Sequence, residues 1–134
     1  MASSEDVANY LNSQSIGSLG ASSGWGIFVG WEPPAPDTTI TIYDTGGTVG
    51  NPDASMYDPT IQVRVRGHSY ANAIAKAEEI RDDLAIEKTA RIIGDWLYTG
   101  FWVTADVVKI DTDEKNRHVF TVNFRLMREL YTTA

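Results

Sequence analysis

The residues of this chain that could do chemistry fall into a few groups. Asp44-Thr45-Gly46 follows Ile40, Ile42 and Tyr43, so a strand delivers an aspartate into a glycine turn. Two copies could set these aspartates side by side. Close like charges cannot both ionise, and the shared proton would make an acid–base pair. The residues themselves favour a plainer role, a strand ending in a glycine turn with Asp44 capping it. Asp111, Asp113 and Glu114 cluster in one turn. A calcium loop of EF-hand type needs a glycine midway and a closing glutamate, but Arg117 and His118 follow, so this is a solvated hairpin turn. His68 and His118 are the only histidines, and neither has a sequence neighbour that completes a triad. Gly46, Gly47 and Gly50 have no Gly-Lys-Ser/Thr after them, which excludes a P-loop. No catalytic, cofactor-binding or metal-ligating residue is assigned.

The D-T-G run does look like the motif of aspartic proteases, and Ile92-Ile93-Gly94 resembles the second signature of the retroviral type. Gly47 stands where those enzymes carry Ala or Ser, and a helical pattern occupies the place of their flap hairpin. A dimeric protease centred on Asp44 is therefore the remotest reading. Arginines are more telling. Arg64, Arg66 and Arg125 alternate with apolar residues, so adjacent strands would set three guanidiniums on one sheet face. There they could form bidentate bridges to carboxylates of another subunit. Arg81 falls within the apolar arc of a helix, from which it snorkels past the core edge or reaches a neighbouring chain.

The element that must position these groups is Thr60 to Leu84, TIQVRVRGHSYANAIAKAEEIRDDL. Ile61, Val63 and Val65 point one way; Gln62, Arg64 and Arg66 point the other. That period of two is a half-buried strand. Gly67 breaks it, and Ser69 stands where a helix N-cap belongs. Tyr70, Ala73, Ile74, Ala77, Ile80 and Leu84 then share one arc at helical spacing. Ser4 caps a predicted short helix of about two turns, with Glu5 and Asp6 at its positive end. Trp25–Glu32 and Thr38–Tyr43 read as strands, an antiparallel pair joined by the PPAPD loop. Asp44–Pro59 reads as a long loop, and loops of that length are often functional or mobile. Arg91–Tyr98, Phe101–Ile110 and Arg117–Met127 add three strands, with Thr99-Gly100 as the turn between the first two. In the last, His118, Phe120, Val122, Phe124 and Leu126 make the core face. The expected fold class is α+β: a mixed, mostly antiparallel sheet of about six strands, with an N-terminal helix and one main helix on one face. The opposite face presents Gln62, Arg64, Arg66, Thr121, Asn123 and Arg125.

The chain has 134 residues, 43% of them hydrophobic, which suits a single domain over residues 1–134. No apolar run approaches the ~18 residues of a membrane span, and the N-terminus lacks a basic n-region. The absence of cysteine excludes thiolate catalysis, disulfides and zinc ribbons. A net charge of -7 without a Lys/Arg run argues against tight binding along a nucleic-acid backbone. Trp25, Trp31, Trp96 and Trp102 divide between core and interface anchors, with at least two in the core.

The strand-to-helix stretch, followed some thirty residues later by DTDEKNRHVFTVNFRLMRE, resembles the tail terminator or minor capsid proteins of long-tailed bacteriophages. The EDVANYLNSQSIGSLG helix, the strand ending in YDTGG and the arginine-bearing strand support it. So does the spacing of Asp113, Arg117, Phe120, Asn123 and Phe124. The likeness covers nearly the whole chain. It implies a structural virion protein, made in the host cytoplasm and built into the head-proximal end of the tail, with no enzymatic activity and no cofactor. Such proteins form a homo-oligomeric ring, typically a hexamer. The ring stops polymerisation of the tail tube protein and joins the tail to the head connector or neck protein. DNA passes through its lumen without sequence-specific contact, and no membrane is involved. A head-side neck or other minor capsid protein is the alternative. On this reading Arg64, Arg66, Arg125, Asn123 and Arg81 are candidates for a subunit interface or the lumen. Asp44, Gly46, Gly47, Asp53 and Tyr57 are candidates for a partner-contact loop.

Overall fold

The computed structural model describes residues 2–48, 56–85 and 90–131. In chain order the elements are α1 (Ser3–Ser13), β1 (Ser18–Leu19), β2 (Gly26–Val29), β3 (Thr39–Thr48) and β4 (Met56–Gly67). After these come α2 (Tyr70–Leu84), β5 (Arg91–Ile93), β6 (Trp96–Thr112) and β7 (His118–Leu130). The predicted strand-to-helix unit forms as β4 and α2. Ile61, Val63 and Val65 are fully buried, and Ser69 Oγ accepts the N–H of Asn72 at 3.2 Å as the N-cap of α2. Ala73, Ala77, Ile80 and Leu84 are buried, whereas Tyr70 at the start of the arc is exposed. At the other end of α2, Arg91 donates to the carbonyls of Leu84 at 3.1 Å and Asp83 at 2.7 Å. These carbonyls have no partner within the helix, and a cation suits that end of its dipole.

The seven strands form one mixed sheet in the order β1-β2-β3-β4-β7-β6-β5. Pairings from β3 to β5 along the sheet are antiparallel, but β1 with β2 and β2 with β3 are parallel. The antiparallel pairing expected for β2 and β3 is thus corrected. Their alternation fixes which face is buried, and the chain between them runs back across the sheet instead of turning as a hairpin. Ile40, Ile42, Ile61, Val63, Val65, Phe120, Val122, Phe124 and Leu126 share one face. They form a single cluster with Val7, Ala8 and Leu11 of α1 and the buried residues of α2.

Three further expectations are revised. First, α1 runs three turns, and its N-cap is Ala2 rather than Ser4. Ser4 lies inside the helix and gives both its N–H (3.0 Å) and its hydroxyl (2.5 Å) to Asp44. Second, Asp44–Pro59 is not a loop throughout. Strands β3 and β4 stay paired out to Thr48 and Asp58, past a bulge between Asp44 and Gly46. Pairing of β4 with β7 lapses at Asp58 and Pro59, where proline has no N–H to give. Asp53 and Gly50 lie outside the described residues. Third, Thr99-Gly100 is no turn but part of β6. The chain reverses at Gly94-Asp95, between the paired residues Ile93 and Trp96, with Gly94 at φ +61. A two-residue hairpin loop takes glycine at such a position because positive φ is strained for side chains.

Candidate functional site

Register places Thr39, Thr41, Tyr43, Gln62, Arg64, Arg66, Val119, Thr121, Asn123 and Arg125 on the sheet face away from the buried cluster. The sequence left that face open; the structure covers half of it. The chain between β2 and β3, residues 30–38, crosses it as a strap. Glu32 Oε1 lies 3.2 Å from Arg66 Nη1, and Glu32 Oε2 lies 3.1 Å from Arg64 Nε. Arg66 Nη2 donates to the carbonyls of Pro33 and Pro36, each at 2.7 Å. Arg117 adds a bond to the Pro34 carbonyl at 2.7 Å and lies 3.4 Å from Asp37 Oδ1. The prolines that end β2 therefore offer carbonyls to guanidiniums below. Charge-assisted bonds of this kind are the stronger sort.

The consequence for Arg66 is plain: its side chain is 3% exposed, enclosed by its own strap. Burial lowers its pKa, and Glu32 opposes that shift. As the molecule stands, Arg66 reaches no open surface. Arg64 is half-buried at the strap's margin. Asp113 anchors the far end: its Oδ1 accepts the N–H groups of Lys115 and Arg117, and its Oδ2 accepts Arg117 Nε at 2.7 Å. Burial pushes the Asp113 carboxyl up, but these donors outweigh it and hold the pKa below the usual carboxylate value. The expected polar turn is thus also the clamp of the strap.

The other half of the face stays open. Arg125 and Trp102 are a cross-strand pair, and the guanidinium lies 5.0 Å from the indole centroid. Arg125 makes no ion pair with any described residue. Trp102, 39% exposed, lies over Gly100, where an added methyl would fall inside the indole. Glycine is needed here for that close approach, so the indole is a fixed surface. Asn123 stands beside Gln62 on the same face, half-buried. At the strap's head Trp31 is 61% exposed. Trp25 and Trp96 instead pack against the core, which meets the expectation of at least two core tryptophans.

Arg81 snorkels to the rim and pairs within its own chain, to Asp82 at 2.9 Å and Asp106 at 3.0 Å. It is on the opposite side of the sheet from Arg64, Arg66 and Arg125. Both carboxylate oxygens of Asp44 are engaged by Ser4, while Gly46 and Gly47 are exposed on β3 beyond the bulge. Tyr57 and Trp96 meet at right angles with ring centroids 5.5 Å apart, and Arg128 lies 3.8 Å from the Trp96 centroid. The structure therefore splits the two predicted residue sets among a strapped half-face, an open half-face, the helix rim and the β3–β4 end. Sequence reading missed Glu32, the Trp102–Gly100 contact, and a buried trio in which Asp6 accepts Tyr98 Oη at 2.6 Å and lies 3.5 Å from Arg128. Only Gly100 carried a local signal, since glycine inside a strand marks a close approach.

Among the described residues no group of three or more His, Asp or Glu is placed to hold a metal ion. A family model described as bacteriophage tail terminator protein matches residues 10–130. Among curated proteins none matches. A solved chain from the virion of a native gene transfer agent particle aligns with TM-score 0.59 and 15% identity, over 76% of this chain and 78% of that one. A second solved chain, whose name states no function, aligns with TM-score 0.55 and 14% identity, over 96% of this chain and 91% of the other. At these identities the two structures share the fold.

Proposed function

We propose, for a chain that belongs to the bacteriophage tail terminator family and so to the structural proteins of a virion tail, that it caps the tail tube. In this reading copies close into a ring, a hexamer, at the head-proximal end. One surface of the ring repeats the contact that tube subunits make with one another. The other accepts no further tube protein and docks on the head connector or neck protein. Genome DNA moves through the lumen, whose acidic subunits do not hold a polyanion. Mechanism here is geometric, and no side chain is assigned to bond making or breaking.

The observation that carries this reading is the family match across residues 10–130. The molecule suits it physically. A ring needs two different patches on each subunit. The exposed Trp102 indole and Arg125, which makes no ion pair among the described residues, are of the residue types that dominate interface energy. The β3–β4 end, with Gly46, Gly47 and Tyr57, is the second candidate contact, toward tube or connector. Among the arginines, Arg125 and Arg64 remain candidates for the interface. Arg66→Glu would instead set a like charge against Glu32 inside the strap.

Electron microscopy of particles made without this protein tests the reading. Overlong tails free of heads are the expected result. Tails of normal length that lack full heads would move the protein to the head side of the neck, and intact particles would refute a structural role.

A further inference from the structure

The strap is held down by charge and hydrogen bonds and by little else. Of residues 30–38 only Pro33 is buried, and none belongs to the buried cluster. Its bonds to what lies below come from Arg64, Arg66 and Arg117, with His68 Nε2 3.1 Å from Asp37 Oδ2. The surface beneath is mostly polar. The cross-strand neighbours of Arg64 and Arg66 are Thr41, Thr121, Thr39 and Val119, all buried. Thr39 Oγ1 and Thr41 Oγ1 have no hydrogen-bond partner among the described residues, so uncovering them lets water supply one. Val119 is the one apolar neighbour, and it too stands outside the buried cluster. Lifting the strap therefore exposes little apolar surface, and the bonds it breaks are of a kind that water replaces. Segments with few buried apolar contacts sit at the low end of a protein's range of local stabilities. Both ends of this one are pinned. The Gly30 N–H donates to the Ile42 carbonyl at 3.0 Å, and the Gly26 N–H donates to the Thr38 carbonyl at 3.2 Å. Those bonds join β2 to β3 and survive when the residues between them lift.

We infer that the strap is a latch, which opens as a unit while the sheet and the buried cluster stay folded. Closed, it occupies Arg64 and Arg66 with groups of their own chain, and Glu32 stands where a carboxylate from outside would stand. Open, it bares those two guanidiniums, whose planar fork suits bidentate binding of a carboxylate. Arg117 stays on Asp113. An outside carboxylate must displace Glu32 to reach Arg64 and Arg66, so the closed strap withholds this pair from partners. The inference stands apart from the ring reading above.

The chain has no cysteine, so a single introduced thiol reports alone. Val119→Cys places it beside Arg66 under the strap, and Val122→Cys places it on the core face of the same strand. An aromatic disulfide reagent is added to the native full-length protein, and circular dichroism checks that each variant is folded. Val119→Cys should react at least about tenfold faster than Val122→Cys. Low urea should leave its rate nearly unchanged while the Val122→Cys rate climbs, because only global unfolding exposes much surface. Adding Glu32→Gln should speed Val119→Cys by at least about tenfold, since it weakens what holds the strap down. Should Val119→Cys disturb the sheet, Thr39→Cys carries the same comparison from β3. Equal rates with equal urea dependence would mean that the strap leaves only when the whole chain unfolds, which overturns the inference. A rate that Glu32→Gln does not change would place the opening elsewhere and overturn it as well.

Discussion

At the scale of single residues, the most constrained chemistry is inside. Asp6 on α1 is buried, accepts the Tyr98 phenol at 2.6 Å and lies 3.5 Å from Arg128 Nη1. Burial raises the Asp6 carboxyl above its ordinary value, while the Tyr98 hydrogen bond and Arg128 oppose the shift. Ionised Asp6 is therefore a cost at neutral pH that these two partners offset. Burial, and then the bond to Asp6, push Tyr98 from 10.0 up to about 12. A phenol with a raised folded pKa holds its proton more tightly folded than unfolded. Its contribution to stability is full below pH 10.0 and is lost as pH rises through about 12. Tyr98→Phe should cost about 1.5–3 kcal/mol at pH 7, the range for a hydrogen bond to a charged group. It should also flatten the alkaline loss. Urea unfolding across that pH window checks both, and an unaltered alkaline slope in the variant would exclude Tyr98 as its source.

At the scale of elements, the strap is held by Arg64, Arg66 and Arg117, distant in sequence, and Glu32 is the common partner of the first two. Glu32→Gln keeps the shape and removes the charge facing Arg64 and Arg66. Breaking a buried ion pair costs roughly 3–5 kcal/mol. Here the Pro33 and Pro36 carbonyls still hold Arg66, so about 2–3 kcal/mol is expected. Denaturant unfolding measures it, and a loss under ~0.5 kcal/mol, the level of ordinary surface changes, would show the strap held by its carbonyl bonds alone. The same element shows what a sequence can and cannot disclose. Alternation put Arg64, Arg66 and Arg125 on one face, and the change of period at Gly67 located β4 and α2. Both are local signals. A proline run shows where a strand stops, but not that the chain folds back over a face whose anchors lie more than thirty residues away. Apolar alternation likewise fixes a strand's faces and leaves its direction open, hence the missed parallel pairing of β2 and β3. Gly94 and Gly100 are alike as letters. The Trp102 ring makes one a strand residue, and the positive φ makes the other a turn.

At the scale of the whole molecule, one buried cluster joins α1, α2 and strands β2, β3, β4, β6 and β7. An element that leaves it exposes apolar surface on several others, so partial unfolding gains little and the chain should melt in one step. Tryptophan fluorescence and far-ultraviolet circular dichroism should then give the same midpoint. Trp25 and Trp96 report on the core, and Trp31 and Trp102 on the surface. The proposed assembly would add a second dependence. An oligomer that forms only from folded chains stabilises them by mass action, so the midpoint should climb with protein concentration. Arg125→Glu should abolish that climb. At high dilution it should lower stability by no more than the roughly 0.5–1 kcal/mol of an exposed cation–π contact. Two separated transitions would break the single-cluster account. A midpoint that climbs equally in Arg125→Glu would show that copies associate through some surface other than the open sheet face.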